Sequence, residues 1–371
     1  MVIDPKVYEL TVPEIWWRDR FSLLESRGYR LRPRYKPDWT PSWVRTKEDP
    51  EECEDSICTT NSRTIDATRI SDGQIVLIKK VIRDGRERKI AEYLTDEEKR
   101  KDRMNHCVPI LDHFDDDQQP YTEFIVMPML RPFDNPPLSF VDEVVDFVRQ
   151  TLEALSFIHS HNVAHRDFAS GNIMFDGKDM YPSGFHPVRK KRDLSGIHKA
   201  VYSTRRSVKG VKYYIIDFGI STLFEEGQSH LVTGCKSQDP DVPELSDTIP
   251  YDAFAVDVFT LGNLYKKELI EKFDNLSFLS PLVERMTQED PNGRPSINEC
   301  VLMFSQIFSA QTTSALYWKL KEQDLGKLRR FWRDITSTFY VGGLIAKRLV
   351  IARGLILSII RKLDEACLRE I

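Results

Sequence analysis

The sequence predicts an α+β fold with its strands concentrated early and its helices late. Apolar, strand-like runs bounded by turn residues fall between 63 and 130. Val141, Val144, Val145, Val148, Leu152, Leu155 and Ile158 then recur at i, i+3, i+4 and i+7, the period of a helix with one buried face. With 371 residues, 41% of them apolar, the chain can bury a large core and is long enough for about two domains.

Residues 1–50 read as an aromatic and arginine-rich extension. Trp16, Trp17, Phe21, Leu23 and Leu24 suit a short helix, and Pro33, Pro37 and Pro41 force extended segments. These aromatics are expected to pack on the main body, with a partner surface as the alternative. The acidic KEDPEECEDS marks a loop-like boundary. RTIDATRISDGQIVLIKKV reads as two strands joined at Asp72-Gly73, where both residues tolerate positive φ. Ile90, Ala91 and Leu94 stand three, four and seven positions after Glu87 and give a helix one apolar side. NHCVPILDHF and TEFIVMPML supply two more strands, and the long helix spans 138–162. Short strands follow at Ile173 to Phe175 and Tyr213 to Ile216, separated by a basic insertion, 177–212.

Two phrases carry chemistry. HRDFASGN runs from His165 to Asn172, and Asp217, Phe218 and Gly219 close a later apolar run. An aspartate with an asparagine five positions on, then an aspartate ending a strand, gathers oxygen ligands of the kind that magnesium-bound phosphates use. In combination they resemble the catalytic and metal-binding loops of protein kinases. Val76, Leu77, Ile78 and Lys79 are similar to the V-A-I-K strand of that family. Met127, followed by Pro128, Met129 and Leu130, resembles its gatekeeper and hinge linker. Val242, Pro243 and Glu244 resemble its APE segment, Asp257 to Gly262 the opening of its central large-lobe helix, and Arg294 the arginine that pairs with the APE glutamate. The resemblance covers about residues 54–308, with the landmarks in order. The aromatic N-terminus and NHCVPILDHF are also similar, more loosely, to fungal kinase-like proteins.

The resemblance implies a bilobal fold: a small β-rich N-lobe at 51–130 and a larger helical C-lobe at 131–310, flanked by the 1–50 extension and a basic amphipathic helical tail at 311–371. It implies ATP and Mg2+ as cofactors and a protein substrate. Lys79 would orient the α- and β-phosphates and Glu87 would hold Lys79. Met127 and Met129 would border adenine, Asn172 and Asp217 would hold magnesium, and Asp167 would accept the substrate hydroxyl proton. Arg166 would grip a phosphate on the activation segment, with Ser229, Thr233 and Ser237 as candidates. Lys80, the register alternative to Lys79, leaves the opposite face of the strand.

The chain departs from the pattern in three places. Between Glu54 and Lys79 the only glycine is Gly73, so a glycine-rich phosphate loop is missing. Lys79 and Glu87 are only eight positions apart, which makes for an abrupt helix entry that could misplace the pair. Ala169 stands where serine/threonine kinases carry lysine, and Gly171 where tyrosine kinases carry arginine. Three readings stay open: a protein kinase, on serine or threonine ahead of tyrosine; a pseudokinase scaffold; and a small-molecule kinase, since Gly171-Asn172-Ile173 also occurs in aminoglycoside and choline kinases.

A net charge of −4 and a pI near 6.1 give no global sign of nucleic-acid binding. Six scattered cysteines without a CxxC pair, and a start lacking an apolar targeting stretch, lead to an expectation of a reducing, cytoplasmic setting and no zinc site. Arg189 to Arg192 read first as a solvated basic loop, with nuclear import or an acidic partner as alternatives. In the tail, Lys327, Arg329, Arg330, Arg333, Lys347, Arg348, Arg353, Arg361 and Lys362 lie among aliphatics. Helices packed on the protein's own lobes are expected there, and weak contact with an anionic membrane surface is the alternative. Ile335 to Ala346 is too short to span a bilayer.

Overall fold

The computed structural model describes residues 8–59 and 61–323. The tail from residue 324 onward, with its expected helices, lies outside the described residues. No described helix is long and apolar enough to cross a membrane.

The chain opens with α1 (Val12–Arg18) and α2 (Phe21–Ser26), where the aromatic pattern predicts one helix. The break falls at Arg20, whose guanidinium is held by Asp116 at 2.7 Å and by the Trp16 carbonyl. Strand β1 (Tyr29–Arg30) follows, then a short helix α3 (Ser42–Thr46) with one-turn 3-10 segments around it. Pro33 starts such a turn instead of extending the chain, because a missing N–H costs nothing in a first turn. Strands β2 (Thr64–Arg69) and β3 (Ile75–Ile82) form the expected hairpin, with Gly73 at φ 71°. Helix α4 (Arg86–Leu94) leads to β4 (Asp112–Asp115) and β5 (Thr122–Pro128). Residues 105–111 are not a strand. Their backbone turns instead to the other lobe, where the Val108 N–H donates to the Ile215 carbonyl.

The five strands form an antiparallel sheet in the order β1-β2-β3-β5-β4. Alternation along its central strands serves two cores at once. Val76, Ile78, Phe124 and Val126 pack under Trp17, Phe21 and Leu24 of the N-terminal extension. Leu77, Ile125 and Met127 face the other way, toward Val108 and Leu130. Lys79 shares the Leu77 parity, and Lys80 points to the opposite side, its Nζ 4.1 Å from the Trp16 ring centroid. The extension thus closes the back of the sheet. Its attachment is testable at Tyr29, whose hydroxyl donates to Asp112 Oδ2 at 2.8 Å. Tyr29→Phe is expected to lower stability by about 0.5–1.5 kcal/mol in urea unfolding.

The second lobe is helical. The 20-residue α5 (Val141–Ser160) is buried along most of its length. Short strands β6 (Arg131–Pro132), β7 (Val163–Ala164), β8 (Ile173–Phe175), β9 (Tyr213–Ile215), β10 (Thr222–Leu223), β11 (Leu231–Val232) and β12 (Tyr251–Asp252) frame the loops that reach the interlobe cleft. Helices α6 (Ala253–Tyr265), α7 (Ser280–Met286), α8 (Ile297–Ser309) and α9 (Thr313–Leu316) complete it. Residues 177–212 connect β8 to β9 with almost no regular structure.

Candidate active site

Lys79, Glu87 and Asp217 meet in the cleft. Lys79 Nζ lies 2.5 Å from Glu87 Oε1 and 2.9 Å from Asp217 Oδ1. The eight-residue spacing is accommodated by a sharp turn between β3 and α4. Asp84 adopts φ 56° there, and the carbonyl of Ile82 would sit 2.6 Å from any Cβ at position 85, so Gly85 is needed. Glu87 falls in the first turn of α4, with Ile90, Ala91 and Leu94 buried beneath. Burial raises the Glu87 pKa above the usual carboxylate value, and the charge of Lys79 only partly offsets it. Burial also opposes ionisation of Asp217, but the charge and hydrogen bond of Lys79 outweigh it and hold that carboxyl below its usual value.

The catalytic-loop phrase follows β7. Asp257, fully buried in α6, accepts from the backbone N–H of His165 at 2.8 Å and of Arg166 at 2.6 Å, and from His159 Nε2 at 3.0 Å. Arg166 is thereby held at φ 67°. Its guanidinium donates to the Thr233 carbonyl at 2.6 Å and to the Tyr251 hydroxyl at 3.1 Å. Phe218 is buried 5.1 Å from the His165 ring, which turns Asp217 toward Lys79. Asn172 Nδ2 donates to the carbonyl and carboxylate of Asp167, at 2.9 and 2.8 Å. Its Oδ1 accepts no hydrogen bond among the described residues. At the far end of the activation segment, Arg294 Nη2 donates to Glu244 Oε2 at 2.9 Å, and Nη1 pairs with Oε1 of the same carboxylate.

The cleft measures about 450 Å³ and is lined by Leu77, Val108, Met127, Met129, Met174 and Ile216 on its apolar side, with Lys79, Asn172 and Asp217 at the polar end. Among the described residues no three His, Cys, Asp or Glu side chains gather as a metal site. The Asp217 carboxylate and the Asn172 amide oxygen, both at the polar end of the cleft, are nevertheless oxygen ligands of the kind magnesium takes.

The roof differs from a glycine-rich turn. It belongs to the long connection, residues 31–63, between β1 and β2. Four described backbone donors at its end and the start of β2 are already engaged by side chains. Thr59 N donates to Glu14 Oε1 at 3.2 Å, Asn61 N to Thr59 Oγ1 at 3.3 Å, and Arg63 N and Thr64 N to Asn61 Oδ1 at 2.8 and 3.3 Å. Glu14 is itself buried against Arg34 at 2.8 Å. The acidic stretch read as a boundary takes part in this architecture, since Glu54 binds Arg32 at 3.0 Å and His186 at 3.2 Å.

The insertion forms a further wall. Pro187, Val188 and Lys190 line the cleft. The basic run therefore does not stand wholly in solvent: burial, with the charge of Arg131 adding, pushes the Lys190 ammonium down to about 8. The buried Arg131 guanidinium, between the rings of Tyr181 and Phe185 at 4.2 and 4.3 Å, anchors the insertion beside the hinge.

Sequence reasoning missed the backbone anchor role of Asp257, the Glu14–Thr59 tie, the Lys190 wall and Gln238. Both the backbone N–H and the side-chain amide of Gln238 bind Asp167, at 2.7 and 2.8 Å. These are contacts between distant polar residues with no periodic signature.

Comparison with known proteins gives a consistent picture. A family model described as a protein kinase domain matches residues 60–273, more than half of the chain. Protein kinase kin1 of Schizosaccharomyces pombe is 31% identical over 150 residues, 39% of this chain and 13% of that protein. A probable myosin light chain kinase of Dictyostelium discoideum is 28% identical over 120 residues, 32% of this chain and 23% of that one. A probable serine/threonine-protein kinase of Encephalitozoon cuniculi is 26% identical over 169 residues, 43% and 26% of the two chains. The matched stretch spans about a quarter or less of each relative.

Proposed function

Because this chain belongs to the protein kinase family, we propose that it transfers the γ-phosphoryl group of Mg-ATP to a protein hydroxyl, serine or threonine ahead of tyrosine. One observation carries the reading: Lys79 touches both Glu87 and Asp217 inside a cleft that also presents Asn172, with Asp167 bound to it. In this reading Glu87 aims the Lys79 ammonium at the α- and β-phosphates, and Met127 and Met129 border the base. Asp217 and Asn172 would hold magnesium, which would supply charge neutralisation at the phosphates. Asp167 accepts the proton of the acceptor hydroxyl. The serine/threonine preference is supported by the likeness to the probable serine/threonine-protein kinase of Encephalitozoon cuniculi.

A pseudokinase scaffold is the second reading, favoured by the roof, where four backbone donors are bound to side chains and unavailable to phosphate. Mg-ATP binding and radiolabel transfer by the wild type, Lys79→Ala and Asp217→Ala separate the two. Transfer that both substitutions abolish supports the enzyme. Binding without transfer by the wild type supports the scaffold, and an absence of binding removes both.

A further inference from the structure

Asp167 has no free acceptor position. A carboxylate offers about four lone-pair sites. On Oδ1 they are met by Gln238 N at 2.7 Å and, more weakly, by Ser237 Oγ at 3.4 Å. On Oδ2 they are met by Asn172 Nδ2 at 2.8 Å and by Gln238 Nε2 at 2.8 Å. An acceptor hydroxyl that is to give up its proton to Asp167 must first take the place of one of these donors.

The donors differ in how easily they leave. Asn172 is buried and also bound to the Asp167 carbonyl. The backbone around Gln238 is pinned through its neighbour Asp239, which accepts from Asn263 Nδ2 at 2.9 and 2.7 Å and pairs with Lys267 at 3.2 Å. The Gln238 side chain, by contrast, is exposed and reaches across the loop over Gly171. A Cβ at position 171 would lie 2.3 Å from Gln238 Oε1, so only glycine lets the amide lie flat there. Position 171 and position 238 together make a fitted lid on one carboxylate.

We propose that Gln238 is a displaceable cap on Asp167, a residue that decides when an acceptor hydroxyl reaches the base. The proposal rests on the phosphotransfer reading above. With the cap swung aside, the acceptor hydroxyl hydrogen-bonds to Asp167. Its oxygen forms a bond to the γ-phosphorus as the bond from that phosphorus to the β–γ bridging oxygen breaks. The bonding pair departs with ADP, and the hydroxyl proton passes to Asp167. Water in the acceptor place yields ADP and inorganic phosphate by the same balance, so the cap can be examined without an identified protein substrate.

The experiment uses the full chain and Mg-ATP hydrolysis, with Gln238→Ala, Gly171→Ala and the double variant. Gln238→Ala is expected to raise the hydrolysis kcat about tenfold, the size of one charge-assisted hydrogen bond, with KM for ATP and the melting temperature unchanged. Gly171→Ala, which dislodges the amide without altering Asp167, is expected to give a similar rise, and the double variant no more than either alone. A readout independent of turnover is the Gln238 side-chain amide in the NMR spectrum of the nucleotide-free protein. The proton it donates to Asp167 should exchange more slowly in the wild type than in Gly171→Ala. Unchanged or lower kcat in both single variants, additive effects, or a freely exchanging amide in the wild type overturns the cap. Failure of the wild type to bind Mg-ATP would instead sink the phosphotransfer reading, and the amide exchange still decides whether Asp167 is covered.

Discussion

Asp217→Ala is expected to reduce phosphotransfer by about 10³-fold while leaving the fold standing. The carboxylate is 44% exposed at the side chain and serves the cleft more than the core. When it is removed, Lys79 keeps Glu87 as its counter-ion, so the ion pair beneath the phosphate site survives. Lys79→Ala is the less clean experiment, because it strands Glu87, whose pKa is already raised by burial, beside Asp217 without a cation. Radiolabel transfer and thermal melting measured on the same Asp217→Ala preparation check the prediction. Transfer within tenfold of the wild type would remove Asp217 from the chemistry.

Asp257→Ala is expected to cost about 3–5 kcal/mol of stability, read as a lower urea midpoint. The wild-type carboxylate takes the backbone N–H groups of His165 and Arg166 and the imidazole of His159 in a fully buried setting. Truncation leaves two buried amides without an acceptor. It also releases the left-handed backbone at Arg166, immediately before Asp167. Activity should therefore fall even at temperatures where the variant remains folded. Asp257→Asn should be nearly as damaging, since an amide can face only one of the two N–H groups with its oxygen. A variant as stable as the wild type would show that the loop is held by other means.

The sequence made parts of this site legible for physical reasons. Lys79 lies within β3, and a period of two leaves only one cleft-facing lysine between positions 79 and 80. Glu87 has an apolar set at three, four and seven positions behind it, which fixes the rotation of its helix. The long stripe of α5 announced the core of the second lobe in the same way. Periodicity says nothing, however, about which polar groups meet across loops. Glu14 reaches Thr59, Glu54 reaches His186 and Gln238 reaches Asp167 only because the backbone has already folded. Of the strand expected over NHCVPILDHF only the end forms, as β4 from Asp112, because His106 and Val108 exchange backbone hydrogen bonds with Ile215 of β9 in the other lobe. The wall built by 177–212 was hidden by its composition, since a run of arginine and lysine reads as solvated until Tyr181 and Phe185 are seen gripping Arg131.

The contact between Glu54 and His186 has a kinetic corollary. It ties the connection between β1 and β2 to the insertion, and both border the rim of the cleft. On the phosphotransfer reading, departure of ADP would require that fastening to part, and its strength would enter the dwell time of ADP. His186→Ala should shorten that dwell time in stopped-flow measurements with a fluorescent ADP, and an unaltered off-rate would mean that the rim does not govern exit.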